Sequence, residues 1–440
     1  MLLDVQYTRF MAAPTVMSVE MNYFDWNISS PAITLCPHYK TDIMKLVNFV
    51  NETYKATEFQ SFAYFWAITT SALDNLEHMD LSVPEDIKLS VDPKDYATIA
   101  ASMFKKFENN VFTTNNKWLL SIEPAMTEMG MCYVINSNVA VYDVPRKTNA
   151  PVPEYVKKNI DLSLYDIDFF TVFTNYKDIY KVFIHSPDDI SMTTTSSFLF
   201  DVEGAMSFGL SVQTTRISDE LRYTSLQLRK CRFTNEPISK RYPIYSHSHC
   251  IMECRIKMIQ RLCGCVPHFY RTLDNERICY INELQCVLYH RKEIVKLSTL
   301  KETLKKFNHH KDLPITSRDC GCLNTCELDL YYRDHENFKQ QSGIRIMKIK
   351  ITSFPKVRFV RDIIFNFYDI ILRIGGVVNL CIGSSIISLV EILLLIFNRP
   401  KNDISHFSSR DSHHSDLEMQ FPHAIMANVK GDEKQTMLFD

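Results

Sequence analysis

Ten of the 13 cysteines in this 440-residue chain lie between residues 231 and 326. Such local density is typical of disulfide bonds formed in an oxidising compartment. Zinc is the less favoured alternative, because zinc sites usually combine two C-x2-C pairs, whereas Cys263/Cys265 and Cys320/Cys322 are each separated by a single residue. The cysteine block therefore predicts a disulfide-bonded extracellular region.

The spacing of four cysteines predicts local geometry. Residues 245–262 are predicted to be helical, with Ser246 or Ser248 as the N-cap. Cys250 and Cys254 would share one face of that helix, and Cys320 and Cys322 would share one face of an extended segment. Two parallel bridges between these pairs are sterically natural, although spacing alone does not give the connectivity.

An apolar stretch near the C-terminus, residues 374–397, carries one charge, at Glu391. As a helix it would exceed the roughly 30 Å hydrocarbon core of a bilayer, so a transmembrane helix is predicted over residues 370–397. Basic residues flank both ends and do not decide the orientation. Because twelve cysteines precede the stretch, we expect an extracellular bulk before it and a cytoplasmic tail over 398–440.

This topology needs a signal peptide or an earlier span to carry the extracellular bulk across the membrane. The longest uncharged run near the start, residues 10–19, is too short to span and contains a proline. We therefore expect the complete protein to have a first transmembrane helix upstream of Met1. The uncharged residues 59–73 are predicted to form a helix within the extracellular domain instead.

The pattern along the chain predicts an α+β fold. Apolar residues at helical spacing predict a helix around 43–50, and short alternating or apolar runs predict strands at 31–36, 132–136, 170–173, 181–185, 197–202, 207–217 and 344–360. Residues 1–30 are interpreted as a linker and 31–362 as the extracellular domain. Two N-x-S/T sequons, at Asn27 and Asn51, are candidate glycosylation sites on that side.

Composition and motifs exclude several function classes. The 49 basic and 51 acidic residues nearly balance, which argues against nucleic-acid binding. No nucleophile elbow, H-E-x-x-H or P-loop is found, so we expect no enzyme activity and no cofactor. His247 and His249 beside Cys250 could form a metal site or a proton sensor, but such histidines are more often solvated surface residues.

The predicted span has a polar stripe. Ser384, Ser388 and Glu391 recur at i, i+4 and i+7, and ionisable residues in a span normally face water or protein. The stripe suits a cation pathway, although a helix-packing face remains an alternative, since small residues also let helices approach closely, here Gly375, Gly376, Gly383, Ser384 and Ser385. Because one helix cannot enclose a pore, conduction would require an oligomer.

Four segments carry a resemblance to a known family: SPAITLCP (30–37), GMCYVIN (130–136), the cysteine block (231–326), and GGVVNLCIGSSIISLVEI (375–392). Together they resemble the degenerin/epithelial sodium channel family, whose insect pickpocket branch is the most similar in style. The resemblance covers residues 7–397 and implies that 231–326 form a disulfide-laddered thumb. It also implies the bridges Cys36–Cys132, Cys231–Cys326, Cys250–Cys322, Cys254–Cys320, Cys263–Cys286 and Cys265–Cys279, with Cys381 left over.

The resemblance further implies a subunit of a trimeric, voltage-independent sodium channel in the plasma membrane, built as a homo- or heterotrimer with related subunits. It implies an unwound selectivity filter at Gly383, Ser384 and Ser385, and a pore lined by Gly375, Gly376, Asn379, Ser388 and Glu391. Gating would respond to a ligand or a mechanical stimulus. A single-pass disulfide-rich receptor and a non-conducting regulatory subunit are the alternatives.

The chain departs from the family pattern at several positions. The first transmembrane helix and the His-Gly gating motif are absent, and Ser30 stands where the family has phenylalanine. Asn379 replaces a glycine that bears on amiloride block in the sodium-channel branch. Leu372 replaces a small residue, and a large residue there tends to hold family pores open.

Overall fold

A computed structural model describes residues 5, 8, 15–53, 59–82, 91–108, 110–113, 120–146, 151–166, 169–174, 178–201, 203–307, 313–364, 367–383 and 386–397. The chain divides into two compact units, Met1–Ile374 and Gly375–Asp440. The first contains all the strands and all the disulfide bonds of the described residues.

A seven-stranded sheet is organised around one long strand. Its strands are β1 (Thr15–Glu20), β4 (Asn110–Thr113), β8 (Phe170–Thr174), β11 (Gly204–Ile217), β12 (Leu328–Gln340), β13 (Arg345–Ser353) and β14 (Arg358–Ile363). β11 pairs antiparallel with β12 and, along its other edge, parallel with β13 and then β14. Alternation places Met347, Ile349 and Ile351 of β13 in the core, with Lys348 and Lys350 between them.

A second sheet has five strands, in the spatial order β10 (Ser197–Phe200), β9 (Tyr180–His185), β3 (Ala32–Pro37), β6 (Gly130–Ile135) and β5 (Ile122–Thr127). The central strands β3 and β6 are buried along their whole length, as expected for strands covered on both faces. A short ribbon pairs β2 (Asn27–Ser29) with β7 (Asp161–Ser163).

Three helices pack against one another, namely α1 (Ile43–Thr53), α2 (Phe59–Thr70) and α3 (Tyr96–Met103), and α3 contacts β5 of the second sheet. Leu46 and Val50 of α1 are buried, which confirms the helical spacing found in the sequence. The predicted helix over 59–73 is α2, and seven of its residues are buried. These helices share one hydrophobic core with the sheets and with the cysteine-rich region.

Short helices lie in the cysteine-rich region and just before it. α4 (Asp219–Arg222) and α5 (Leu226–Arg229) precede the region, and it contains α6 (His247–Cys263), α7 (Leu284–Tyr289), α8 (Arg291–Lys296) and α9 (Lys301–Lys306). The Ser246 side chain accepts a hydrogen bond from the His249 amide, so Ser246 is the N-cap of α6. Gly264, with φ +73°, ends that helix in the left-handed conformation.

Three expectations about elements differ from the structure. The predicted linker 1–30 contains β1, which pairs with β14, and β2. The single strand predicted over 344–360 is two strands, β13 and β14, with Pro355 in the segment between them. Proline lacks the amide hydrogen that a ladder requires, which accounts for the break. β12 was not expected from the sequence.

The C-terminal apolar stretch forms two helices, α10 (Phe367–Ile382) and α11 (Ile386–Phe397), where the sequence predicted one helix over 370–397. Among the residues that the structure describes, neither these nor any other helix is long and apolar enough to cross a bilayer.

Candidate functional site

The break between α10 and α11 falls within the predicted selectivity filter. α10 ends at Ile382, and Gly383 adopts φ +69°, in the left-handed region that favours glycine. The Gly383 amide donates to the Asn379 carbonyl oxygen at 2.8 Å, which caps the end of the helix. Ser384 and Ser385 lie outside the described residues, and α11 begins at Ile386.

The other predicted pore residues lie on the two helices on either side of this break. On α10, Gly376 and Asn379 are exposed and Gly375 is half-buried; on α11, Ser388 is half-buried and Glu391 exposed. The spacings 376/379 and 388/391 each place a pair on one side of its helix.

Both helices also expose large apolar side chains. Leu372, the predicted gating residue, is 71% exposed on α10, and on α11 the exposed side chains include those of Leu393, Leu394, Leu395, Ile396 and Phe397. Contiguous apolar surface of this kind is typical of a region that contacts lipid or another protein chain. The arrangement thus combines polar positions with a surface suited to an apolar environment.

The six disulfide bonds join the same cysteine pairs that the resemblance implied. The Cα–Cα distances are 4.4 Å for Cys36–Cys132, 5.0 Å for Cys231–Cys326, 5.7 Å for Cys250–Cys322, 5.9 Å for Cys254–Cys320, 5.8 Å for Cys263–Cys286 and 5.0 Å for Cys265–Cys279. Cys250 and Cys254 lie one turn apart on α6, as the spacing predicted.

The partner segment of these two bridges is not extended, contrary to expectation. Cys320 ends a short 3-10 turn, Ser317–Cys320, and Gly321 follows in the left-handed conformation at φ +64°. The turn brings Cys320 and Cys322 to successive turns of α6 because Gly321 can reverse the local direction without a Cβ clash. Two neighbouring rungs therefore fix the middle of α6 to one loop.

Sequence reasoning did not find a buried ion pair in the first unit. The Glu128 carboxylate bonds to the Arg255 guanidinium, and both side chains are at most 1% exposed. Glu128 also accepts from the Thr193 amide at 3.0 Å and from the Tyr270 hydroxyl at 2.8 Å. Arg255 lies 127 residues away in sequence, so no local pattern reveals the pair.

A second buried charge cluster surrounds Arg241. Its guanidinium donates to Glu253 Oε2 at 2.7 Å and to Glu276 at 2.6 and 2.9 Å. The two carboxylates neutralise a side chain that is almost fully buried, and they tie the start of the cysteine-rich region to α6 and to the loop after it.

The histidines beside Cys250 are not solvated surface residues, so that expectation was wrong. His249 is buried, with Nε2 at 2.8 Å from Asp143 Oδ2 and its ring stacked on Tyr242 at 3.8 Å. His247 is half-buried, with Nδ1 3.1 Å from the Leu323 carbonyl oxygen. Across the described ranges, no three His, Cys, Asp or Glu side chains are grouped as a metal site would require.

The two candidate glycosylation residues are accessible in this fold. Asn27 is exposed in β2, and Asn51 is exposed near the end of α1. Glycan addition requires a surface position on the luminal or extracellular side. Both asparagines have the required surface position.

Comparison with known proteins places these features in a family. The family profile described as "Amiloride-sensitive sodium channel" matches residues 1–395. Pickpocket protein 11 of Drosophila melanogaster is 25% identical over 243 residues, which cover 50% of this chain and 42% of that protein. Sodium channel protein Nach of the same species is 27% identical over 198 residues, covering 41% of this chain and 34% of that protein.

A mammalian relative matches over more of the chain. The bile acid-sensitive ion channel of Mus musculus is 22% identical over 426 residues, covering 87% of this chain and 76% of that protein. The chain spans less than half the length of the two Drosophila relatives. The chain belongs to the amiloride-sensitive sodium channel family, a family of ion channels and not of enzymes.

Proposed function

We propose that this chain is a subunit of a voltage-independent, sodium-permeable cation channel that assembles as a homo- or heterotrimer with related subunits in the plasma membrane. The observation that carries the proposal is the helix break at Gly383, which lies inside the family match and interrupts an otherwise apolar helical stretch. Irregular backbone at membrane depth is tolerated where it lines water or protein, which favours a pore at this position.

In this proposal Gly383, Ser384 and Ser385 form the selectivity filter. α10 ends at Ile382, and the end of a helix leaves carbonyl oxygens of the last turn outside the regular hydrogen-bond ladder; among them, the Asn379 carbonyl already accepts from the Gly383 amide. Three copies around an axis would present these carbonyls, together with the two serine hydroxyls, to a passing ion. Such oxygens replace part of the hydration shell of sodium, which is conducted and not held as a cofactor.

The flanking positions would line the remainder of the pathway. Gly375, Gly376 and Asn379 would lie on one side of the filter, and Ser388 and Glu391 on the other. The Glu391 carboxylate would supply negative potential that favours cations over anions. Leu372, in the N-terminal half of α10, would contribute to gating.

The first unit would be extracellular and would receive the stimulus, either a ligand or a mechanical force. Six disulfide bonds and two accessible sequons support folding of this unit in the oxidising lumen of the secretory pathway. Residues 398–440 would then be a cytoplasmic tail. A sensory or an epithelial setting is consistent with this arrangement.

Cysteine accessibility tests the proposed filter. The chain is expressed in oocytes, alone and with related full-length subunits, and Ser385→Cys is compared with Val390→Cys. Val390 directly precedes Glu391 on α11, so the two positions lie about 100° apart around the helix axis. A small cationic thiol reagent should block currents of Ser385→Cys channels and leave Val390→Cys channels largely unchanged. Equal block of both variants would contradict the assignment.

The same experiment separates the proposal from its alternatives. Surface delivery of the chain without current in any subunit combination, together with binding of an extracellular protein, would favour a single-pass receptor. Altered currents of a partner subunit that remain insensitive to both cysteine substitutions would favour a non-conducting regulatory subunit.

A further inference from the structure

The first unit contains a cavity of about 340 Å³ that the proposed ion pathway does not use. Its walls come from residues 142–146, residues 151–152 and the loop 268–274 that follows α6, with Ala97 of α3 and Met126 of β5 behind them. The volume is at the lower end of the roughly 300–1,000 Å³ found for small-molecule sites. The walls combine apolar and aromatic side chains with several polar groups.

Two lining residues carry buried polar atoms that have no hydrogen-bond partner among the described residues. They are Tyr142 Oη and His268 Nδ1, on side chains that are 1% and 2% exposed. His268 Nε2 lies 2.9 Å from the Ile68 carbonyl oxygen and must donate to it, so Nδ1 of the neutral ring is an acceptor. The cavity therefore offers one hydroxyl donor and one nitrogen acceptor.

A cation in the wall, Arg271, forms no salt bridge within the described part of the chain. Arg271 Nη1 donates to the Tyr142 carbonyl oxygen at 3.1 Å, and no described carboxylate forms a salt bridge with the guanidinium. Burial lowers the pKa of Arg271; Tyr242 and Asp143 oppose this shift in part, and the charges of Arg146 and Arg241 add to it. An anion bound beside the guanidinium would relieve this positive field.

The acidic groups of the lining offset this field only in part, because neither forms a salt bridge with Arg271. Asp143 is already bonded through Oδ2 to His249 and through Oδ1 to the Tyr242 hydroxyl at 3.3 Å. Asp274 is exposed at the rim, as are the cationic side chains of Arg146 and Lys240. The described rim thus adds two positive charges to that of Arg271, against one exposed carboxylate.

We propose that this cavity binds a small organic carboxylate that carries a hydroxyl group. The carboxylate pairs with Arg271 and accepts from the Tyr142 hydroxyl, and the ligand hydroxyl donates to His268 Nδ1. The apolar body of the ligand contacts Met126 and Leu273. A charge-assisted hydrogen bond in a partly desolvated site supplies the preference for an anion over a neutral amide. This site is independent of whether the chain conducts ions.

The test uses 4-hydroxyphenylacetate as the probe and saturation-transfer NMR on the purified full chain in a neutral maltoside detergent. We expect the wild-type chain to bind the probe with a Kd below about 1 mM. Arg271→Gln should weaken binding by about tenfold or more, because it removes a charged donor. The neutral analogue 4-hydroxyphenylacetamide should bind the wild-type chain as weakly as the probe binds Arg271→Gln.

Arg277→Gln is the matched control, since Arg277 is an exposed arginine six residues away that pairs with Glu283 outside the cavity. It should leave binding unchanged. Failure of the wild-type chain to bind the probe, or equal affinity in Arg271→Gln, would overturn the proposal. If Arg271→Gln lowers the thermal midpoint, Tyr142→Phe decides: weakened binding supports the site, and unchanged binding refutes it.

Discussion

Glu128 is a fully buried carboxylate that is surrounded by hydrogen-bond donors. It accepts hydrogen bonds from the Arg255 guanidinium and the Tyr270 hydroxyl, and from both the backbone amide and the side-chain hydroxyl of Thr193. These donors come from segments that are distant in sequence, so the carboxylate connects the second sheet with α6. Burial of such a pair is tolerated only when nearly all of its hydrogen bonds are made.

Replacing Arg255 with methionine should destabilise the fold by about 3–5 kcal/mol, because Glu128 would keep a buried charge without its cation. Lys157→Met is the control: Lys157 and Asp161 form an exposed pair, and its loss should cost about 0–1 kcal/mol. Thermal midpoints of the full chain with disulfides intact provide the comparison. Equal midpoints for the two variants would show that the buried pair contributes little.

His268 gives the fold a pH dependence with a defined sign. Burial lowers its pKa to about 4 from 6.5. The unfolded chain therefore takes up this proton at higher pH than the folded chain, so stability is lost as the pH falls from 6.5 towards 4. Across this window the loss from this one residue is about 3 kcal/mol.

His268→Gln should reduce the drop in thermal midpoint between about pH 7 and about pH 4.5, since glutamine does not titrate there. Its amide can still donate to the Ile68 carbonyl oxygen, which preserves the existing hydrogen bond. His335→Gln, an exposed position on β12, should keep the wild-type pH dependence. Identical pH profiles of the thermal midpoint for all three proteins would mean that His268 does not contribute to the pH dependence of stability.

At the scale of elements, α6 is held by two neighbouring bridges that are nested. With Cys250–Cys322 intact, Cys254–Cys320 closes only a small additional ring, four residues along α6 and two along the partner loop. In the chain-entropy account a small ring stabilises less than a long one. The two bridges are therefore partly redundant.

Cys254→Ala/Cys320→Ala should destabilise the fold by about 2–3 kcal/mol, and removal of both bridges by more than twice that amount. The second loss is larger because it opens a loop with a sequence separation of 72. Thermal midpoints and surface delivery of the single-bridge and double-bridge variants test this. A single-bridge variant as unstable as the double-bridge variant would contradict the nested account.

Elements with a local pattern could be predicted from the sequence. The sequence predicted four strands and one helix, because their apolar residues form a pattern over a few consecutive positions. They are β3, β6, β8, β9 and α1. β12 was missed because most of its side chains are exposed, which removes the alternation of apolar and polar residues. It exists because β11 offers it a long antiparallel edge.

In the candidate site, the helix break and the bridge pairs could be predicted from the sequence, but the cavity could not. The position of the helix break follows from Gly383 and its neighbours through a family resemblance, and the bridge pairs follow in the same way. The cavity beside Arg271 could not be predicted, because its walls come from stretches that are up to about 170 residues apart, from Ala97 to Arg271. Such proximity is fixed by tertiary packing and leaves no local pattern.

At the scale of the whole molecule, the proposed orientation predicts glycosylation of the first unit. Endoglycosidase treatment of the chain from insect cells should increase its gel mobility, and Asn27→Gln/Asn51→Gln should abolish that shift. Both asparagines are exposed, so access does not limit modification. A membrane-inserted chain that stays unmodified and whose C-terminal tail is digested by external protease would contradict the orientation.

Reversal potentials show whether Gly383 to Ser385 and Glu391 lie on a cation pathway. Currents from oocytes expressing the chain with related subunits are recorded in external sodium and then in potassium. We expect Ser385→Ala to shift the reversal potential between these solutions and Glu391→Gln to lower the cation conductance, because filter oxygens and pore charge set selectivity. Conducting channels whose selectivity and conductance are unchanged by both substitutions would contradict this pathway.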